Sequence, residues 1–234
     1  MRVVDVAVPG VGVVRRLFAS TRGQLPLVLV PGCGCDHHAF DALLEELSLH
    51  DVEVLVPALP GRAGIAGCVT SASSSSAYVL RLLAALGIGR AVVGGHSWGG
   101  AVAQELALDD VDGRIAGLVL LSTGARLRVA QAMLDAVEAS GDLVALADWR
   151  ACHRFDRLAD VARIQVPTVV VVGADDVLTP PRYGQFLHER IAGSSLVLLE
   201  GAGHEAPTTH AVAVATSLLP LLRRVAGGVG SSPG

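Results

Sequence analysis

The sequence has no lysine and no asparagine; all 18 of its basic residues are arginine. The missing lysine excludes lysine Schiff bases, pyridoxal-phosphate attachment and the P-loop lysine. The missing asparagine excludes an N-glycosylation sequon. Aromatic residues are only 3% of the chain, so extensive stacking on a sugar or nucleobase is not expected. Charge is also short. Twenty-two acidic residues against 18 basic leave a formal net charge of −4, without the basic excess that a nucleic-acid binder needs. The longest uncharged stretch, between Arg62 and Arg81, is broken by glycines and by the run Ser73 to Ser76, which makes it a poor membrane span. Met1 to Val6 lacks an apolar signal core and alternates like a strand, so it reads as mature sequence. With no export signal, the four cysteines read as reduced thiols of a cytoplasmic protein.

What is abundant is aliphatic. Hydrophobic residues make up 51% of 234 residues, enough for one domain with a full core. Runs at Leu25–Val30, Val52–Val56, Ala91–Val93, Leu118–Leu121, Val169–Val172 and Leu196–Leu199 mostly lack polar alternation, as parallel strands covered on both faces do. Val3–Val8 and Val13–Phe18 flank Pro9-Gly10-Val11-Gly12 and predict an antiparallel hairpin at one edge. Helices are expected over Ala39–Leu49, Ala77–Leu86 (with Gly87 as C-cap), Gly99–Leu108, Arg182–Ile191 and Val212–Val225. The serines near Ser73 read as a loop running into a helix start. This alternation predicts an α/β class: a mostly parallel sheet with an antiparallel start and helices on both faces. Residues 1–226 form the single domain. Within it, 124–163 reads as a short helical lid with helical patterning at Ala130–Ala139 and Leu143–Trp149, although two ordinary crossover helices would give the same pattern. The Gly/Ser/Pro-rich tail 227–234 is expected to be disordered.

The sharpest motif is Gly94-Gly95-His96-Ser97-Trp98-Gly99-Gly100, which contains Gly-x-Ser-x-Gly between a strand and a helix. Glycines two residues either side of Ser97 let the turn close and the helix approach the strand, so that the serine hydroxyl is exposed at the sheet edge. A serine nucleophile needs a base and an orienting acid. Two later strand ends offer them in chain order: Gly173-Ala174-Asp175-Asp176-Val177-Leu178-Thr179-Pro180, then Glu200-Gly201-Ala202-Gly203-His204.

With these motifs the chain resembles the α/β-hydrolase fold superfamily, as a small serine-esterase-like member, from its first strands to about Leu222. The resemblance implies Ser97 as nucleophile, His204 as base and Asp176 as acid, since the family places the acid three residues after the glycine that ends its strand; Asp175 is the alternate. It also implies an oxyanion hole from the amides of Trp98 and of Cys33. Cys33 lies where relatives commonly carry His-Gly-X, although this chain has Pro31 in the histidine's place. The activity implied is hydrolysis of a carboxylic ester, thioester or lactone of a small acyl substrate, with no cofactor or metal. Carbon–carbon hydrolysis, acyl transfer, cyanohydrin cleavage and cofactor-free perhydrolysis use the same triad, and a non-catalytic ligand receptor can share the fold. Asp-nucleophile chemistry is disfavoured by Ser97.

Other residues have rival readings. Cys33, Cys35, His37 and His38 are soft ligands, but Cys-x-Cys-x-His-His is not a structural zinc spacing and no second ligand pair accompanies it. The cysteines read as small packed residues, and His37 or His38 as lining the acyl pocket. Met133 and Trp149, among the lid's apolar residues, are further candidates for substrate contact. Arg126 and Arg128 could meet a carboxylate or be surface charge. His96 is expected to pack behind the serine, and His50, His153, His188 and His210 to be surface or packing residues. Cys152 beside His153 matches no cysteine-enzyme motif. Oligomeric state is not readable.

Overall fold

Aliphatic runs that cannot face water on either side must be covered by helices, and the strand order shows how. The computed structural model describes residues 3–20 and 25–227. Eight strands form one sheet: β1 (Val3–Val8), β2 (Gly12–Leu17), β3 (Leu27–Val30), β4 (Val54–Pro57), β5 (Ala91–His96), β6 (Ile115–Leu121), β7 (Thr168–Gly173) and β8 (Ser195–Leu199). Their order is β1-β2-β4-β3-β5-β6-β7-β8. The pairs β1/β2 and β2/β4 are antiparallel; from β4 to β8 every pair is parallel. The chain winds one way from β3 to β4 and then crosses to β5 on the other side. The carboxyl ends of β3 and β5 therefore flank a topological switch point, where α/β sheets leave a crevice.

Among the described residues eight α-helices accompany the sheet: α1 (Asp41–Ser48), α2 (Ala72–Ala85), α3 (Trp98–Leu108), α4 (Gln131–Ser140), α5 (Leu143–Arg154), α6 (Pro181–Arg190), α7 (Ala206–Thr209) and α8 (Ala211–Gly227). On one face Leu43, Leu44 and Leu47 of α1 and Val214 and Leu218 of α8 pack with Leu29, Val92 and Val119 of the strands. On the other, Val79 and Leu82 of α2, Val102 and Leu106 of α3 and Leu187 of α6 pack with Val28, Val93 and Leu118. The segment between β6 and β7 carries α4, which buries no residue, and α5, which buries Leu146, Asp148, Ala151 and Cys152.

Three differences from the sequence reading have physical reasons. The strand expected to end at Val93 continues to His96. Gly94 and Gly95 do not terminate it; a Cβ at Gly94 would collide with Val119 of β6, and one at Gly95 with the Gly99 backbone, so one glycine permits close strand pairing and the other close approach of the helix that follows. The serine run is not a loop. Ser71 caps α2 in a reciprocal box with Ser74, at 3.0 Å in each direction. Ser75 and Ser76 then bond back to the carbonyls of Ser71 and Ser73 within the first turns. Finally, β8 is an edge strand and leaves Leu198 exposed, so it is not covered on both faces. The helix expected to stop at Val225 runs to Gly227, and the rest of the tail lies outside the described residues.

Candidate active site

Ser97 sits between β5 and α3 with φ +53° and ψ −116°, a left-handed value that a side chain rarely adopts. The neighbours hold it there. The Ser97 amide donates to the Leu121 carbonyl (2.9 Å), and Thr123 Oγ1 donates to the Ser97 carbonyl (2.7 Å). Gly99 brings α3 onto the end of β3: a Cβ there would overlap the Val30 carbonyl oxygen. Gly32 lies against His96 and Ser97, so the loop after β3 runs beside the serine.

Asp176 and His204 come from the loops after β7 and β8. A Cβ at Gly173 would strike the Ala202 and Gly203 carbonyls, so that glycine lets the two loops meet. His204 Nδ1 donates to Asp176 Oδ2 at 2.9 Å. With the proton fixed on Nδ1, Nε2 is left with its lone pair. Asp176 Oδ1 accepts the amides of Leu178 (2.9 Å) and Thr179 (2.8 Å), and Thr179 Oγ1 donates to Oδ2 (2.8 Å) while lying 3.2 Å from His204 Nδ1. Burial pushes the Asp176 carboxyl upward, but the hydrogen bonds from His204 and Thr179 outweigh it and hold the group below its ordinary value. The alternate, Asp175, is exposed in the turn.

Ser97 and His204 open onto one cavity of about 230 Å³, with Thr179, Leu178 and, from the segment between β6 and β7, Leu127, Val129, Met133, Trp149 and Cys152. No hydrogen bond joins the Ser97 hydroxyl to His204 among the described residues; such contacts often tighten only around substrate. His96 packs behind the serine. It is buried, its Nε2 donates to the His204 carbonyl (2.8 Å), and burial with the neighbouring His204 lowers its pKa to about 4, which keeps the ring neutral. Trp98 is the first residue of α3, so its amide has no acceptor within the helix, and its fully buried indole packs edge-on against Phe155.

His37 and His38 are not at this cavity. The turn before α1 carries them away from the end of β3 toward the hairpin, where they face Asp5. Nor do the four soft ligands of that loop gather. The Cys33 thiol turns inward and donates to the Asp148 carbonyl at 3.6 Å, and burial together with a hydrogen bond to Cys152 raises its pKa well above the ordinary value. Arg128 borders the cavity, but its Nη1 donates to the carbonyls of Leu127, His153 and Phe155 and its Nη2 pairs with Asp156, so its charge is already engaged.

Sequence reasoning gave no role to Thr179, although it quoted the motif, and it missed Asp148. That carboxylate on α5 accepts from the Gly34 amide (3.4 Å) and pairs with Arg62, which also donates to the Cys35 carbonyl (2.8 Å). Asp148 thus ties the segment between β6 and β7 to the loop beside Ser97. Burial raises its pKa against the opposing pull of Arg62. Nothing in the run Leu143–Trp149 distinguishes this aspartate from a surface one.

Residues 27–160 match the alpha/beta hydrolase family, more than half of the chain. The chain belongs to that family. Residues 138–224 also match the TAP-like protein family. Over 112 residues the chain is 39% identical to a pimeloyl-[acyl-carrier protein] methyl ester esterase of Neisseria meningitidis, a stretch covering 48% of this chain and 38% of that relative's length. A thermophilic esterase of known structure superposes with TM-score 0.80 at 29% identity, covering 96% of this chain and 98% of its own. A hydrolase from Pseudomonas aeruginosa superposes with TM-score 0.77 at 25% identity, covering 94% and 98%.

Proposed function

We propose that the protein is a serine hydrolase that cleaves a carboxylic ester, thioester or lactone through an acyl-enzyme on Ser97. The observation that carries this reading is the buried Asp176–His204 hydrogen bond at the wall of the cavity onto which the strained Ser97 opens. His204 Nε2 takes the Ser97 proton as Oγ attacks the substrate carbonyl, and Asp176 stabilises the imidazolium that forms. The amides of Cys33 and Trp98 receive the oxyanion, aided by the positive end of α3. The leaving alcohol, thiol or tethered hydroxyl takes the proton from His204. A water deprotonated by His204 then attacks the acyl-enzyme, and collapse of the second tetrahedral intermediate releases the acid and restores Ser97.

The insertion between β6 and β7 acts as the lid, and Met133 and Trp149 contact an apolar acyl group. The esterase names of the Neisseria relative and of the thermophilic structure support acyl transfer to water as the reaction class. The substrate is a small acyl compound. Among the described residues no helix is long and apolar enough to cross a membrane. The four free cysteines support a cytoplasmic location. The test is a chain-length series of p-nitrophenyl acyl esters, run beside lactones and acyl thioesters on the wild type and Ser97→Ala. Turnover of at least one class that depends on Ser97 supports the reading; wild-type rates in Ser97→Ala overturn it.

A further inference from the structure

Asp5, His37 and His38 meet on the hairpin side of the sheet, outside the active-site cavity. β1 supplies Asp5 opposite Arg15 of β2, and the turn that starts α1 supplies the two histidines. One ligand atom from each residue lies within 4.8 Å of the others. His37 Nε2 and His38 Nε2 are both 3.7 Å from the same atom, Asp5 Oδ2. That is too long for a hydrogen bond. It is close to the spacing of donors around a tetrahedral ion, roughly 3.4 Å for bonds of about 2.0–2.1 Å.

The surroundings fit a metal as well. Arg15 Nη1 takes Asp5 Oδ1 at 3.0 Å and leaves Oδ2 for the cluster. Asp41 Oδ2 lies 3.4 Å from His38 Nδ1, and Arg15 holds Asp41 in turn through Nε and Nη2. A carboxylate behind the imidazole puts the proton on Nδ1 and turns the Nε2 lone pair outward, the usual outer-shell arrangement of a metal-bound histidine. That lone pair then faces an anionic oxygen, an arrangement that a cation between them stabilises. The two rings are tilted at 53° with centroids 4.4 Å apart, so two imidazolium charges side by side would repel. His37 is buried and, unlike His38, has no hydrogen-bond partner behind its ring at Nδ1, so the outer-shell support rests on His38 alone.

We propose that Asp5 Oδ2, His37 Nε2 and His38 Nε2 form a three-ligand site for a divalent transition-metal ion, zinc being the best match, with a fourth position left to water. Two imidazoles and a carboxylate are borderline donors that suit zinc better than magnesium or calcium. The ion would pin β1 to the start of α1, joining the antiparallel edge to the body of the sheet. The sequence reading expected no metal because Cys-x-Cys-x-His-His is not a structural zinc spacing and no second ligand pair was evident; the third ligand proposed here, Asp5, lies far upstream of the two histidines.

The test is calorimetric titration of the chelator-stripped full chain with zinc chloride, in the wild type, Asp5→Ala, His38→Ala and Asp41→Asn. The proposal expects one zinc per chain and a raised thermal midpoint for the wild type. It expects affinity lost by more than about a hundredfold in Asp5→Ala and His38→Ala, beyond the roughly 10- to 100-fold cost of the outer-shell change in Asp41→Asn. No zinc binding by the wild type overturns it. So does wild-type affinity in Asp5→Ala and His38→Ala, which would show that the ion binds elsewhere; His96, His204 and Glu205 are the other group of this kind among the described residues. Because the alanine variants could lose the local fold, cobalt(II) absorption of the wild type gives an independent reading. Tetrahedral ligand-field bands without a thiolate charge-transfer band support the site, and a thiolate band overturns it.

Discussion

Two aspartate–imidazole clusters stand at different places on this sheet, and their geometry separates what they can do. At the carboxyl edge, Asp176 is buried and receives the His204 proton donor at 2.9 Å, with its second oxygen filled by two backbone amides. One nitrogen is committed and the other faces a cavity, as a general base requires. At the hairpin, Asp5 is exposed and stands 3.7 Å from two imidazole nitrogens, outside hydrogen-bond range, with an arginine on its other oxygen. Under the two proposals, the same side chains would serve proton transfer where a hydrogen bond fixes the tautomer beside a nucleophile, and ion binding where lone pairs converge on a gap.

The comparison can be broken in several ways, from the largest expected effect downward. Ser97→Ala should cut ester turnover on the order of 10⁴- to 10⁶-fold, measured with a p-nitrophenyl ester, and should leave zinc affinity at the wild-type value; coupled losses would merge the two clusters. Asp176→Asn should lower kcat by about 10⁴-fold by reversing the His204 tautomer; a loss in KM alone would contradict the orienting role. Gly99→Ala forces a Cβ into the Val30 carbonyl and should cost about 3 kcal/mol in denaturant unfolding. Thr179→Val removes a hydrogen bond to the buried carboxylate and should lower kcat/KM by about 10- to 100-fold. The smallest effect concerns His96. It stays neutral in the fold down to about pH 4 but takes up a proton below its ordinary 6.5 once unfolded. Its contribution to stability is therefore complete above pH 6.5 and declines as the pH falls toward 4. Unfolding midpoints across that window should flatten in His96→Gln.

The legibility of each cluster in the sequence follows from the same contrast. Ser97, Asp176 and His204 each follow a strand in a short glycine-bearing motif, and the strand order brings those ends to one edge; local pattern and chain order marked the three loops, and the family resemblance picked Asp176 over Asp175 and His204 as base. The hairpin, the parallel strands and most helices were readable because burial on one or both faces imposes a period on the residues. What escaped depends on contacts between distant residues. Asp5 meets His37 and His38 only because β1 folds back beside the start of α1, and Asp148 meets Gly34 only because α5 packs against the loop beside Ser97. The two histidines looked like pocket residues because they closely follow Cys33, the expected oxyanion donor, in sequence, but the chain turns away there. The α2 start was misplaced because serines favour caps and loops, and only the structure shows Ser75 and Ser76 satisfied by carbonyls of their own helix.

The most direct test of the account is to treat the wild type with a fluorophosphonate and locate the adduct by peptide mass spectrometry. The account predicts one phosphonyl group, on Ser97, with ester turnover abolished in step with labelling and no adduct in Ser97→Ala. Labelling at another residue, or full turnover by the fully modified protein, would contradict it.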